Sequence, residues 1–439
     1  MLRMLLTAMV ALAVLGAGPL SACAEDLTLV KVVVLQRHGV RPPSSTKEIT
    51  PLAADPWPTW DVPDGQLTGH GRRAIAELGK WEAQMLQARG LLGERCPKPG
   101  DVFAWANSGY QRTIDTADTL LTVWFPGCGL KAGHLNTTDQ DPLFMASRFE
   151  VGRLDQEQAS NAVRERMGGD LERPGPRHAM LLAELQSVVR CCAASVCQKT
   201  VQKESCTLAD RPSALSPTAD GRNVDWTGPM GEAATIAQVL LLEYANGFPP
   251  EQVGWGRAAT ADAVVRLSEL RKIKYEYQER LPYIARRGAS NLLQQILLAL
   301  EAGAGPAPVD VDPALAAAKL VLFVGSDTQV AEIGGILEAH WQLRGYLDDE
   351  TPPGGGLVFE LLQDPATRAQ FVRLVFVAQT LEQIRGASAL GPSNTPNYVP
   401  VLVPGCEGAR PDGACPVASF IKLARSKMDM TAVAKPAFR

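Results

Sequence analysis

Residues 37–41, near the start of the chain, have the types and spacing needed for covalent chemistry on a phosphate group. They read Arg-His-Gly-Val-Arg and directly follow the strand-like run Lys31–Gln36. A phosphate monoester is a dianion, and guanidinium forks match its oxygens. An imidazole can attack phosphorus when its second ring nitrogen is held by an acceptor. The segment therefore indicates a nucleophile, His38, between phosphate-binding Arg37 and Arg41, with a plain surface Arg/His cluster as the alternative.

A second segment supplies a carboxylate in a comparable position. The apolar run Leu320–Val324 ends at Gly325, and Ser326 and Asp327 follow. Functional groups of open α/β sheets collect at the carboxyl ends of their strands, so this segment and residues 37–41 are expected to meet. Asp327 is then the candidate proton donor to a leaving alkoxide. Taken alone, Ser326 or Asp327 would more simply cap a helix over residues 328–337.

A third arginine is a candidate for the same site. Arg112 stands in the first turn of the predicted helix Gln111–Trp124, and anions favour helix N-termini. It either completes a phosphate pocket or is an ordinary solvated arginine. The chain carries no Walker loop, Gly-x-Ser-x-Gly elbow or His-Glu-x-x-His motif, which disfavours NTPase, serine hydrolase and metalloprotease functions.

The order of predicted elements indicates an α/β fold. Strands and helices alternate before residue 150, helical periodicity dominates from 150 to 302, and strands return afterwards. We expect a mixed-sheet α/β domain with helices on both faces, formed by residues 25–150 and 305–439, and a mostly α-helical insertion domain over 151–304. Residues 303–318 read as a linker. The predicted strands are Lys31–Gln36, Asp101–Trp105, Leu320–Val324, Gly356–Glu360 and Phe371–Val377. The predicted helices are Gly71–Gly90, Gln111–Trp124, Ala179–Val189, Gly231–Ala245, Thr260–Tyr277 and Asn291–Glu301.

The N-terminus predicts export. Residues 1–22 combine Arg3, an apolar run and small residues, as in a secretory signal peptide. Residues 20–23 read as a lipoprotein box, which would make Cys23 a lipidated N-terminus, but an ordinary signal peptidase site fits as well. We favour the lipoprotein slightly. The expected location is the periplasm or the exterior, with attachment to the outer membrane if Cys23 is lipidated.

The amino-acid composition limits the kinds of partner that the protein is expected to bind. The chain has 439 residues, 46% of them hydrophobic, and a net charge of −4, which is typical of a large globular protein without a general affinity for nucleic acid. We therefore expect a small-molecule partner and no nucleic acid.

The cysteines fit disulfides better than a metal. Eight remain after Cys23, enough for 105 connectivities. No Cys-x-x-Cys or His-x-x-x-His spacing supports zinc. Proximity along the chain suggests the pairs Cys96–Cys128, Cys197–Cys206 and Cys406–Cys415. Cys191 and Cys192 then remain, and they either pair with each other or stay reduced.

With these residues, the chain resembles the histidine acid phosphatase family, in its branch of bacterial secreted phytases and acid phosphatases. The likeness covers about residues 27–425 and includes the Arg-His-Gly-x-Arg-x-Pro signature, the cysteine spacing, and segments 55–60, 67–71, 141–144, 254–257 and 352–360. The resemblance implies an α/β and an α domain with the site between them, and neither metal nor cofactor. It also implies a phosphohistidine at His38, a phosphate clamp of Arg37, Arg41 and Arg112, and proton donation by Asp327.

The chain departs from that family at positions that would meet the substrate. The family's distal His-Asp is Ser326-Asp327 here, and loss of one preorganised donor typically costs about 10²–10³ in rate, although a serine hydroxyl can donate in its place. Gln329 replaces a usual asparagine. Ser45, beside Ser44, replaces a lysine, with Lys47 close by. Ser326 is therefore expected to bind phosphate, and Ser44, Ser45 and Gln329 to bind substrate. Differences also occur at Ala234, Thr235 and Gln238.

The function expected from these observations is hydrolysis of a small-molecule phosphomonoester through a covalent phosphohistidine. The substrate could be a general phosphomonoester, phytate or a sugar phosphate, and the departures weaken the case for phytate. The alternative is a weakly active or inactive relative that binds phosphorylated ligands, for which Ser326 is the direct support.

Overall fold

The computed structural model describes residues 27–93, 95–218, 223–436 and 438. Every predicted strand and helix is present, although the helix predicted over Asn291–Glu301 begins earlier, at Pro282. The strands are β1 (Thr28–Arg37), β2 (Val102–Ala106), β3 (Ala214–Pro217), β4 (Val224–Thr227), β5 (Leu320–Gly325), β6 (Gly356–Gln363), β7 (Gln370–Ala378), β8 (Asn397–Val401) and β9 (Cys415–Pro416). The α-helices are α1 (Thr46–Ile49), α2 (Gly69–Ala88), α3 (Gln111–Trp124), α4 (Gln156–Arg166), α5 (Pro174–Arg177), α6 (Ala179–Val189), α7 (Ala194–Val201), α8 (Pro229–Ala245), α9 (Ala261–Tyr277), α10 (Pro282–Ala304), α11 (Pro313–Ala317), α12 (Asp327–Leu337), α13 (Leu381–Gly386) and α14 (Val417–Lys427).

Seven strands form one mixed sheet, as predicted. Its order is β2-β5-β1-β6-β7-β8, and β9 pairs with β7. Strands β2, β5 and β1 are parallel, whereas β6 runs antiparallel to β1. Arg37 at the end of β1 lies opposite Gly325 at the end of β5, and Gln36 lies opposite Gly356 at the start of β6. The register therefore brings His38, Ser326 and the 350–355 loop to one edge of the sheet.

Both faces of the sheet are covered, which explains why β1 and β5 are apolar throughout. Successive side chains of a strand point to opposite faces. Val32 and Val34 pack with the α2 and α3 side chains, while Val33 and Leu35 pack with α10 and α12. The expected helices on both faces are therefore confirmed, and β1 is held tightly up to the residue before His38.

The chain between the two halves of the sheet is mostly helical. It also contains the β3–β4 pair, which the sequence did not suggest, and α8 packs along α9. Helix α10 packs against β1 and α12, and α11 lies within the expected linker with Leu315 buried. Because α10 belongs to the layer over the sheet, we propose that the helical insertion ends before Pro282 rather than at residue 304.

Four disulfides lie within the described residues. They are Cys96–Cys128, Cys191–Cys192, Cys197–Cys206 and Cys406–Cys415. The sulfurs of Cys192, Cys197 and Cys206 approach within 4.8 Å of one another, but disulfide sulfurs offer no thiolate to a metal.

The predicted signal peptide and Cys23 fall outside the described residues. Within the part of the chain that is described, no helix combines the length and apolar character required to cross a bilayer.

Candidate active site

His38 is fixed by the ends of three strands. Its backbone N–H donates to the Gly325 carbonyl at 3.1 Å, and the N–H of Gly354 donates to the His38 carbonyl at 3.0 Å. The ring Nδ1 lies 2.8 Å from the Gly39 carbonyl oxygen, which can only accept, so Nδ1 carries the proton. The ring Nε2 is buried and has no hydrogen-bond partner among the described residues. Its lone pair is therefore available for nucleophilic attack.

Gly39 is required at its position because there is no room for a side chain. A Cβ there would lie 2.8 Å from Leu67 Cδ1 and 2.9 Å from Ile75 Cγ1. The Gly39 N–H donates to Thr116 Oγ1 at 3.2 Å. The chain thus passes against α2 and α3 immediately after the histidine, and this contact helps to hold the ring in place.

The charges around His38 keep its imidazole neutral. Burial lowers the pKa of His38 well below its ordinary value, and Arg112, Arg41 and Arg37 lower it further, while Asp327 acts in the opposite direction. A neutral imidazole in mildly acidic solution is what nucleophilic catalysis by this residue requires.

The structure brings the three predicted arginines together around His38. Burial lowers the pKa of Arg37 to about 10, and burial followed by the charge of Arg41 lowers the pKa of Arg112 to about 9. Arg112 lies over the Tyr110 ring at 4.0 Å and donates to the Gly65 carbonyl. The Nε of each of the three arginines is buried without a hydrogen-bond partner among the described residues. Unsatisfied buried donors of this kind are satisfied by an anion.

Asp327 is the first residue of α12 and forms two buried ion pairs. Its Oδ2 lies 2.8 Å from Arg271 Nη2 and 3.2 Å from Arg37 Nη2. Burial by itself would raise the pKa of Asp327, but the charges of Arg37 and Arg271 outweigh it and hold this pKa well below its usual range. The carboxyl group is therefore ionised in the ligand-free site.

Ser326 and Gln329 interact with each other. The Ser326 hydroxyl donates to Gln329 Oε1 at 2.9 Å, and the Ser326 N–H donates to the same oxygen at 2.8 Å. Gln329 Nε2 donates to the Phe144 carbonyl, and Gln329 is only 1% exposed. Gln329 is therefore a buried support for the start of α12, whereas the sequence suggested a contact with substrate. Ser326 lies in the cavity wall, with its hydroxyl hydrogen already used.

A cavity of about 320 Å³ opens beside these groups. Ser44, Ser45 and Ser326 line it, whereas His38 and Arg37 are buried and do not line it, and neither does Lys47. The further lining residues include Arg41, Glu48, Tyr110, Arg112, Ala234, Thr235, Gln238, Arg271, Lys274, Tyr275, Glu279 and Asp327.

Sequence reasoning missed Arg271 and its partner Glu350. Arg271 lies on α9, in a helix with other basic residues at 266, 272 and 274, so composition alone does not single it out. Its Nη1 lies 3.2 Å from Glu350 Oε2, next to the ion pair with Asp327. With Arg271 added to the three predicted arginines, four guanidinium groups lie near the two carboxylates of Asp327 and Glu350. The excess of positive charge over these two carboxylates suits a phosphate dianion.

A parallel strand that ends in a buried histidine, with arginines around it and an aspartate at the next strand end, is an arrangement suited to binding a phosphate group. The sequence profile of the histidine phosphatase superfamily (branch 2) matches residues 28–377. The chain belongs to this family.

Curated and solved relatives place the chain among histidine acid phosphatases and phytases. It is 34% identical to phytase AppA of Escherichia coli (strain K12) over 92% of this chain and 94% of that protein. It is 30% identical to glucose-1-phosphatase of Salmonella typhimurium over 94% of this chain and 97% of that protein. The structure of Hafnia alvei phytase in complex with tartrate superimposes with a TM-score of 0.84 at 33% identity, covering 94% of this chain and all of that one. The chain is therefore a histidine-type phosphomonoester hydrolase.

Proposed function

We propose that the protein hydrolyses phosphomonoesters through a covalent phosphohistidine at His38. One observation carries the proposal: Nδ1 is held by a carbonyl, while the free Nε2 is buried among arginines whose own Nε donors are unpaired. Unpaired buried donors and an unpaired nucleophilic nitrogen in one place cost stability unless a ligand uses them. This arrangement favours an enzyme over a structural role.

The reaction has two steps. Nε2 of His38 attacks phosphorus, the ester P–O bond breaks, and a protonated Asp327 gives its proton to the leaving oxygen. Water then attacks the phosphohistidine, Asp327 takes a proton from it, the P–N bond breaks, and inorganic phosphate leaves. Arg37, Arg41 and Arg112 stabilise the charge of the phosphoryl group in both steps.

The charges of the cavity wall bear on the choice of substrate. Relatives are named phytase and glucose-1-phosphatase, so both substrate classes are candidates. Besides the arginines and Asp327, the charged lining residues are Lys274 and two carboxylates, Glu48 and Glu279. Negative charge there opposes a leaving group that carries several phosphates. We therefore favour a substrate with one phosphate and a polar leaving group, such as a sugar phosphate.

The test is turnover with trapping of the intermediate. The purified protein is assayed with p-nitrophenyl phosphate, glucose 1-phosphate and phytate in mildly acidic buffer, and the reaction is quenched in alkali, in which phosphohistidine survives. We expect turnover and a phosphorylated peptide containing His38, both lost in His38→Ala. Binding of phosphate with no His38-dependent turnover on any ester would instead support the inactive binding protein.

We also propose that the protein is exported by residues 1–22 and anchored through a lipidated Cys23. The mass of the mature N-terminus, with palmitate labelling of the parent and of Cys23→Ser, tests this. Label in the parent alone supports the anchor, and an unmodified N-terminus beginning beyond residue 22 supports ordinary cleavage.

A further inference from the structure

We propose that Arg271 is a fourth phosphate-binding arginine of the site, which leaves its ion pair with Asp327 to bind the substrate's phosphate. The inference rests on the proposed phosphatase function. It concerns a residue of α9, in the helical part of the chain, whereas Arg37, Arg41 and Arg112 follow or adjoin the strands of the sheet.

Arg271 is held at the cavity by contacts on several sides. Its Nη2 donates to Asp327 Oδ2 at 2.8 Å and to Thr351 Oγ1 at 3.1 Å, and its Nη1 donates to Glu350 Oε2 at 3.2 Å. The guanidinium carbon lies 4.2 Å from the centre of the Tyr275 ring. Its side chain is 5% exposed and lines the cavity. A guanidinium fixed in this way is preorganised for an anion that enters beside Asp327.

The neighbouring polar groups are already engaged with other partners, so we expect Arg271 to bind the anion on this side of the site. The hydroxyl of Ser326 donates to Gln329 and not into the cavity. Arg37 meets the same Asp327 oxygen as Arg271, so two guanidinium groups already converge on one negatively charged oxygen. A phosphate oxygen can replace that carboxylate oxygen because it has the same charge sign and accepts the same hydrogen bonds.

The exchange also explains how an ionised Asp327 becomes a proton donor. The charged and titratable groups facing it are Arg37, Arg271, His38, Arg41, Arg112 and Tyr275, with Glu350 beyond Arg271. When Arg37 and Arg271 turn to a phosphate dianion, Asp327 loses its two nearest cations and gains a negative neighbour. Both changes favour its protonated form.

The experiment compares Arg271→Gln, Arg271→Lys and the parent enzyme. We expect Arg271→Gln to raise the inhibition constant of inorganic phosphate and the KM for p-nitrophenyl phosphate by about 10-fold to 100-fold, the loss of one or more charged hydrogen bonds. Lysine keeps the charge without the fork, so Arg271→Lys should recover part of the loss. The limb of kcat/KM that falls as pH rises should move to higher pH in Arg271→Gln, because kcat/KM reports the free enzyme, in which Asp327 then loses one of the two cations that hold its pKa low.

Arg280→Gln is the matched control. Arg280 is another buried arginine, paired with Asp349 and outside the cavity. We expect it to lower the melting temperature without changing phosphate inhibition. An Arg271→Gln enzyme that is folded and active, with an unchanged inhibition constant and pH profile, would overturn the inference. An inactive parent protein would instead overturn the proposed function, so the two failures are distinguishable.

Discussion

Nδ1 of His38 lies 2.8 Å from the carbonyl oxygen of Gly39, the next residue in the chain. The acceptor that fixes the tautomer therefore belongs to the backbone, and no side-chain substitution removes it directly. It depends instead on the path of the chain at residue 39, which passes against Leu67 and Ile75. The His38 ring is oriented by local backbone geometry, and that geometry is maintained by tertiary packing.

Gly39→Ala should therefore impair both folding and catalysis. The added methyl overlaps Leu67 and Ile75, and overpacking of this kind costs about 1–3 kcal/mol. The shift also moves the His38 ring, so we expect kcat to fall by about 100-fold or more, a size typical of misplaced catalytic groups. Urea unfolding and p-nitrophenyl phosphate kinetics measure the two effects. Gly391→Ala, where a Cβ meets open space, serves as the control and should change neither.

Arg112→Gln should change the pH dependence as well as the rate. After burial, Arg112 is the largest influence that lowers the pKa of His38. Removing this cation raises that pKa, so His38 gains a proton at a higher pH and the acid limb of kcat/KM moves upward in pH. The pH–rate profile checks this. Arg72→Gln, a surface arginine paired with Asp115, should leave the profile unchanged; an unmoved limb in Arg112→Gln would contradict the prediction.

Ser326→Ala should cost little. The Ser326 hydroxyl donates to Gln329, which still accepts from the Ser326 backbone N–H after the substitution. We expect kcat/KM to change by less than about 3-fold, far below the loss typical of an oxyanion donor. Gln329→Leu should instead destabilise the fold by about 1–3 kcal/mol, because it leaves the Phe144 carbonyl without its buried donor. A large loss in Ser326→Ala alone would show that the hydroxyl turns to phosphate.

Replacing Glu48 and Glu279, two carboxylates of the cavity wall, should broaden the range of substrates that the protein hydrolyses. Glu48→Gln with Glu279→Gln removes two negative charges from the cavity wall while Lys274 remains. We expect kcat/KM for phytate to rise several-fold relative to glucose 1-phosphate, with p-nitrophenyl phosphate unchanged. Measuring kcat/KM for the three substrates in parallel tests this prediction. If the ratio of phytate to glucose 1-phosphate stays constant, the wall charges do not select the substrate.

Glu82 should make the fold less stable at higher pH. Burial raises the pKa of Glu82 to about 8, against the opposing bond from Trp124. The native state keeps this proton while the unfolded chain releases it from about pH 4.5 upward, so stability is lost as pH rises towards about 8. Glu82→Gln should be about 4–5 kcal/mol more stable than the parent at the upper end, since a rise of the pKa from 4.5 to about 8 is worth ~1.4 kcal/mol per pKa unit, and equal at the lower end. Urea unfolding at both pH values tests this, with Glu77→Gln, a partly exposed position of the same helix, as the control.

Short-range patterns predicted much of the fold. The runs that became β1 and β5 are apolar because both faces of the sheet are covered, and α2 and α3 carry helical periodicity. Strand β8 was missed because it is an edge strand containing Pro400 between polar segments. The β3–β4 pair was missed because its strands are only four residues long. Neither has the length or alternation that a sequence pattern needs.

The sequence by itself determined that Arg37, His38 and Arg41 lie together, because they are close along the chain and stand at the end of a recognisable strand. It also indicated Asp327, which stands at the end of a second such strand. Only the tertiary structure decided that Arg271 meets Asp327 across 56 residues, since that contact depends on where the fold places α9 relative to the start of α12. The contact of Gln329 with Phe144, and the hydrogen bond that the Ser326 hydroxyl donates to Gln329, could not be read from spacing either, because only the folded chain brings these partners together.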